Sequence, residues 1–224
     1  MGKRAKIFEN LRRIASYLTK IFEYFGRFYR FLKPANQLSA DPKPELRKHY
    51  LAIRKIAAST YREAPQAIAT HLIQQAFFKK SMHIACYIAH RSEVATEACI
   101  NAIWQAHKMC YLPKLTATGA LCFAQYKQFD VLEPNRFGIF EPLSAAPTLK
   151  AAQLDLVLMP LVAFDHEGNR LGTGGGYYDR TFAGASHPLL IGLAYAAQRA
   201  GALPKDKWDI PLDGVITEQG VVHC

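Results

Sequence analysis

The stretch "LDLVLMPLVAFDHEGNRLGTGGGYYDR", Leu154 to Arg180, decides the reading of the whole chain. It begins as a strongly apolar run, Leu154 to Phe164 with Asp155 as its one charge, of the composition expected for a buried strand. A short polar turn, "DHEGN", follows, and then Gly172, Gly174, Gly175 and Gly176 crowd into five positions before "YYDRTF" resumes a helical pattern. A buried strand, a glycine-rich turn and a helix are the order in which open α/β sheets bind ligands. Glycines let the main chain approach a guest without a Cβ in the way, and free N–H groups in such a turn suit phosphate oxygens. Arg170 and Arg180 can add charge-assisted hydrogen bonds, and Tyr177 or Tyr178 can stack on a flat ring.

The common phosphate signatures do not fit. A Walker loop ends in GKS or GKT where this segment has GYY, and the dinucleotide pattern requires glycine or alanine where Tyr177 stands. From the glycines alone, a plain structural turn stays open as the alternative.

Outward from this segment, helical and strand patterns alternate. "PELRKHYLAIRKIAAS" repeats Leu46, Tyr50, Ile53 and Ile56/Ala57 at helical spacing, with Asp41 as the expected cap. A second helix is expected from about Pro65 to Phe78, a buried strand at His83–His90, and a helix through "SEVATEACINAIWQAH" with acidic residues in its first turns. "KMCYLPKL", "ALCFAQY" and "PLLIGLAYA" supply further strands. The expected fold is a three-layer α/β/α domain with a mixed, largely parallel sheet, preceded by an N-terminal amphipathic helix. Prolines and small polar residues at "KPANQLSADPKPE" place the boundary near residue 40: residues 1–40 as a basic helical extension and linker, residues 41–224 as the α/β domain.

The chain has 224 residues, half of them hydrophobic, enough for a substantial core. No apolar run reaches the ~18 residues that suggest a membrane span, and no secretory leader pattern is visible, so the cytoplasm is the expected compartment. The five cysteines form no CxxC pair and sit mostly among apolar neighbours, as reduced core thiols do. The formal charge of +10 suggests nucleic acid until it is divided: residues 1–40 carry +7 and the rest only +3. No nucleic-acid role is expected of the domain.

The longer string "PLVAFDHEGNRLGTGGGYYDR" resembles the signature of the 5-formyltetrahydrofolate cyclo-ligase family, and so do "KPELRKHYLAIR", "AHRSEVATE", "NRFGIFEP" and "KWDIPLDGVIT". The resemblance covers about residues 43 to 218. It implies an ATP- and Mg2+-dependent cyclisation of the small molecule 5-formyltetrahydrofolate to 5,10-methenyltetrahydrofolate, ADP and phosphate, with a monomer as the expected state. By the same resemblance, Lys43 and Arg47 bind ATP phosphates, as do Arg170, Leu171, Gly172, Thr173, Gly174, Gly175, Gly176, Tyr177 and Tyr178. Thr173 to Tyr177 also approach the folate, which Ile88 and Glu93 contact. Asp179 and Asp209 are the implied magnesium ligands, and Arg170, Tyr177 and Asp179 the implied catalytic set. Gly175 stands where some relatives carry lysine, so one phosphate contact is handled differently here.

Read without the family, the same residues have plainer meanings. Lys43 and Arg47, four apart, make a solvated basic face. Glu93 is an exposed or capping glutamate, Asp179 a helix-start charge and Asp209 a cap. A non-catalytic nucleotide- or folate-binding regulator is the alternative function on the same fold. Against it, Glu93, Arg170, Tyr177, Asp179 and Asp209 are all present.

The first 33 residues lie outside the resemblance. Ile7, Leu11, Ile14, Leu18, Ile21, Phe25, Phe28 and Leu32 mark one face of a long helix, flanked by aromatic residues where a coiled coil places charges. Arg12, Arg13, Lys20 and Arg27 gather opposite, the pattern of an interfacial helix on an anionic membrane. Peripheral membrane or partner docking, packing on the chain's own domain, and an over-long translation start are the three readings.

Overall fold

The computed structural model describes residues 41–143, 145–184 and 187–224. The proposed N-terminal helix and its membrane contact lie outside them. In chain order the helices are α1 (Lys43–Thr60), α2 (Ala64–Gln74), α3 (Ala76–Lys80), α4 (Glu97–Gln105) and α5 (Tyr177–Phe182). The strands are β1 (His83–Ala85), β2 (Met109–Leu115), β3 (Leu121–Gln125), β4 (Leu132–Pro134), β5 (Phe140–Pro142), β6 (Thr148–Leu149), β7 (Leu156–Pro160), β8 (Ala163–Phe164), β9 (Arg170–Leu171), β10 (Leu189–Leu193), β11 (Gly214–Thr217) and β12 (Gly220–His223).

Eight strands form the main sheet in the order β12-β11-β10-β7-β1-β2-β3-β6. The middle five, β11, β10, β7, β1 and β2, run parallel; β12, β3 and β6 join antiparallel at the edges. The sheet is thus mixed with a parallel centre. Strand β7 lies at the middle, with Leu156 in register with Ile84 of β1 and Leu189 of β10. Its side chains alternate between two cores, as the pleat demands. Leu156 and Leu158 join Ile68, Leu72, Ile100 and Ile103 of α2 and α4, while Val157 and Met159 join Phe182 of α5, Leu161 and Leu212. The helical layers are unequal: α2, α3 and α4 cover one face, whereas α5, a 3-10 turn at Ala151–Gln153 and loops cover the other. Leu46, Tyr50 and Leu51 of α1 pack against a third cluster, Val162, Ala163, Leu171, Ala200 and Leu203.

Several boundaries differ from the sequence expectation. The apolar run Leu154–Phe164 is not one strand. Pro160 ends the ladder of β7, and after Leu161 and Val162 the chain re-enters a separate hairpin, β8 with β9. The helix expected from Pro65 to Phe78 breaks at Gln75, whose extended backbone (φ −72, ψ 140) turns Phe78 into the core that Leu72 already fills. The strand expected at His83–His90 ends at Ala85. The helix expected from Ser92 starts only at Glu97. Arg91 there takes a left-handed backbone (φ 57), and the Glu93 carboxylate accepts from the His90 amide, so a turn occupies 90–93. Thr96 Oγ1 ties that turn to Tyr87 O. Pro42, not Asp41, is the N-cap of α1, with no side-chain cap bond.

Cys86, Cys99 and Cys110 are buried free thiols. Burial pushes the thiol pKa up, to about 12 for Cys99 and Cys110, as expected of unreactive core cysteines. Cys122 is half-buried and Cys224 is exposed. Among the described residues no helix is long and apolar enough to cross a membrane.

Candidate active site

The glycine-rich loop joins β9 to α5. Gly174 (φ 104) and Gly176 (φ 64) occupy backbone regions that side chains disfavour. A Cβ on Gly176 would also come within 2.8 Å of Arg180 Nη1. The loop is tied down on both flanks: Arg47 Nε donates to Gly172 O (3.0 Å), and Arg180 donates to Gly175 O (2.8 Å) and Gly119 O (3.0 Å). Arg180 also lies over the Tyr177 ring at 5.1 Å, and the opposite neighbour of that ring is Phe137 of the β4–β5 turn, 6.3 Å away. Thr173, Gly174 and Gly175 are exposed, Gly172, Gly176, Tyr177 and Tyr178 half-buried, and Leu171 buried in the third cluster.

Two ion-paired groups adjoin this loop. Lys43, at the start of α1, reaches Asp206 at 2.5 Å and Asp209 at 2.6 Å. Burial works against its charge, but the two aspartates outweigh it and raise its pKa. Burial likewise opposes the Asp209 carboxylate, yet the Asp206 amide, Lys43 and Arg170 hold its pKa below the ordinary aspartate value. Arg170, its side chain 5% exposed, pairs with Asp179 at 2.6 Å and donates to Ile210 O. The Ile210 amide in turn donates to Asp179 Oδ1 (3.2 Å), so Asp179 and Asp209 belong to one connected group around Arg170.

These two carboxylates suit a hard divalent cation. Magnesium is commonly held by one or two carboxylates plus phosphate oxygens and water. The hydrogen bonds described occupy Asp179 Oδ1 and Asp209 Oδ2, one oxygen of each. No cluster of three or more acidic, His or Cys side chains suited to a metal occurs among the described residues.

A second locus is formed by the turn after β1. Ile88 is half-buried against the first core. Glu93 Oε2 accepts from the His90 amide at 2.9 Å, and Oε1 lies 3.7 Å from Arg54 Nη1. Burial raises the Glu93 pKa, an effect that His90 and Arg54 moderate. Tyr178, at the start of α5, stacks on Phe182 at 6.2 Å; burial above all, with the nearby Glu93, raises its phenol pKa, and Arg170 lowers it.

Three participants were not singled out in the sequence: Arg54, Asp206 and Gln198. Arg54 had a visible signal, since Lys43, Arg47 and Arg54 share one helical face at steps of four and seven. Gln198 offered none; its buried amide donates to Leu161 O and Val162 O, both at 3.0 Å. Asp165 of the signature string is structural: its carboxylate accepts from Glu167, Asn169 and Leu203 and pins the turn.

A parallel-centred sheet whose middle strand leads, through the β8–β9 hairpin, to a glycine loop defines an α/β protein of the ligand-binding kind. The model of the 5-formyltetrahydrofolate cyclo-ligase family matches residues 39–218, and the chain belongs to that family of enzymes. It is 34% identical to the 5-formyltetrahydrofolate cyclo-ligase of Haemophilus influenzae over 80% of this chain and 99% of that one. It is 35% identical to the Escherichia coli K12 cyclo-ligase over 75% and 95%. Among solved structures it resembles the 5,10-methenyltetrahydrofolate synthetase of Aquifex aeolicus, with a TM-score of 0.71 and 33% identity over 81% of this chain and 92% of the other. The synthetase of Mycoplasma pneumoniae gives 0.62 and 26% over 79% and 98%.

Proposed function

We propose that this chain converts 5-formyltetrahydrofolate and ATP, with Mg2+, to 5,10-methenyltetrahydrofolate, ADP and phosphate. The formyl oxygen on N5 takes the terminal phosphoryl group of ATP. N10 then attacks the activated formyl carbon, and phosphate departs with the former formyl oxygen, closing the five-membered ring. A weak amide-oxygen nucleophile must meet a charged phosphoryl group, so positioning and charge neutralisation carry the catalysis.

In this reading Lys43, Arg47 and Arg170 neutralise phosphate oxygens, and Leu171 to Tyr178 form the wall on which the nucleotide lies. Asp179 and Asp209 would hold a magnesium ion, which would supply charge neutralisation to the phosphoryl group being transferred. Glu93 accepts from the N–H edge of the pterin, with Ile88 beside it, and Thr173 to Tyr177 face both substrates. The observation that carries the reading is the loop itself: Arg47 ties it to α1 through Gly172 O, and Arg170 and Asp179, on either side of it, pair at 2.6 Å. Purified protein, 5-formyltetrahydrofolate and MgATP should produce methenyl absorbance that disappears when ATP is omitted or magnesium chelated. No ATP-dependent signal would sink the proposal. The acting unit is taken as a cytoplasmic monomer, with residues 1–40 a separate docking extension and residues 41–224 sufficient for the chemistry.

A further inference from the structure

Arg54 has no place in the reaction above, yet its side chain is only 3% exposed. A buried guanidinium is costly unless its donors are met. Here they are spent on separate segments: Nη1 donates to Leu161 O (3.0 Å), where the chain leaves β7, and Nε to Ser92 Oγ (3.3 Å) in the turn after β1. The same Nη1 stands 3.7 Å from Glu93 Oε1. That separation gives electrostatic support while the oxygen's lone pairs stay available to another donor. Glu93 Oε2 is already fixed by the His90 amide, so the carboxylate is held on one side by its own turn and on the other by α1.

We infer that Arg54 is the positioning residue for Glu93: from the end of β7 it holds the 90–93 turn in place and keeps the Glu93 carboxylate ionised for the pterin edge. The inference rests on the cyclo-ligase reading of Glu93. A guanidinium suits this task because its planar fork reaches several acceptors at once, whereas an ammonium is a single point of charge. The charged groups acting on Glu93 are Arg54 from α1 and His90 from its own turn; Tyr87 beyond β1 and Tyr178 from α5 are neutral phenols that feel the Glu93 charge, and Arg91 acts on Arg54 in turn. Burial pushes the Glu93 pKa up and Arg54 pulls it back, so loss of Arg54 raises it further. An ionised acceptor is lost as pH falls through that pKa. The acid limb of kcat/KM for the folate therefore moves to higher pH without Arg54.

The test is steady-state kinetics of the full chain across the acid-to-neutral range on wild type, Arg54→Met, Arg54→Lys, Glu93→Gln and the double variants. Arg54→Met should raise the folate KM about tenfold, leave the ATP KM within about twofold, and shift the acid limb upward. In the Glu93→Gln background the limb should be absent, and adding Arg54→Met should change the folate KM by less than about twofold. Arg54→Lys keeps the charge, so its limb should stay near wild type with a smaller rise in KM. Full additivity with Glu93→Gln, or an equal rise in both KM values, would make Arg54 a packing residue only and overturn the inference. If Arg54→Met does not fold, Arg54→Lys with and without Glu93→Gln decides by the same additivity criterion. Wild-type protein that forms no methenyl product would sink the cyclo-ligase reading instead, so the two failures are distinguishable.

Discussion

The two loci flanking the glycine loop manage buried charge in opposite ways. On the Lys43 side, cations and carboxylates are locked at 2.5 to 2.6 Å, Lys43 with Asp206 and Asp209, Arg170 with Asp179. On the Glu93 side a single carboxylate faces a single guanidinium at 3.7 Å. The first arrangement sets two cations against three carboxylates, so under the proposed reaction a polyanion with its cation enters by exchanging partners. The second keeps one acceptor loosely supported, suited to a neutral N–H edge. Tight pairs make a site that trades ions; a loose pair makes a site that reads hydrogen bonds.

The comparison breaks most directly at Asp179 and Asp209. Asp179→Asn and Asp209→Asn each remove a charge while keeping an amide acceptor for the neighbouring donors. Turnover should fall about 100-fold or more, as when one transition-state charge stabiliser is lost, while thermal unfolding reports a loss of only about 1–2 kcal/mol. Wild-type turnover at limiting magnesium in either variant would remove these residues from the metal's neighbourhood. Glu93→Gln should instead act on the folate alone. Losing a charge-assisted hydrogen bond of roughly 1.5–3 kcal/mol raises the folate KM by about 10- to 100-fold and spares that of ATP. A raised ATP KM with unchanged folate KM would put Glu93 on the nucleotide side.

The loop between the two loci gives a smaller effect. Gly176→Ala forces a side chain into a left-handed backbone and against Arg180, so calorimetry should register about 1–2 kcal/mol of destabilisation, with a raised ATP KM. No change in either would mean the loop relaxes freely. Smaller still is the acid dependence of the Lys43–Asp209 pair. The folded Asp209 pKa is depressed, so its stabilisation is present at neutral pH and lost as pH falls through that native value, below the ordinary aspartate range. Asp209 is 20% exposed and shares Lys43 with the 44%-exposed Asp206, so screening limits the group to about 1 kcal/mol. Lys43→Met should flatten this limb in melting curves taken against pH; an unaltered limb would trace it to other carboxylates. Removing residues 1–39 should leave both loci and the rate intact while abolishing sedimentation with anionic liposomes. A full-length chain that ignores such liposomes at low salt would end the membrane reading.

Residue pattern alone carried the fold class, because alternating helical and apolar segments are a local property of the chain. It also singled out the glycine loop. It could not divide Leu154–Phe164, since hydropathy is the same in β7 and β8; what separates them is Pro160 and the hydrogen bonds of two distant side chains, Arg54 and Gln198. The helix expected from Ser92 failed for a related reason. Its first residues satisfy their polar groups by tertiary contacts with α1, which no window along the chain contains. Lys43 and Asp209 were named only through resemblance to a family, and their meeting across the fold is a property of the assembled tertiary structure.

The position of β7 has a consequence for how the chain reaches this structure. Leu156 finds its neighbours at Ile84 and Leu189, one far upstream and the other downstream. No short hairpin can nucleate the middle of the sheet, and loop closure must be met before the central contacts reward it. This central strand consequently keeps one edge unpaired until β10 has been synthesised. Refolding should be slow for a domain of this size, and a chain cut between β7 and β10 should aggregate rather than fold.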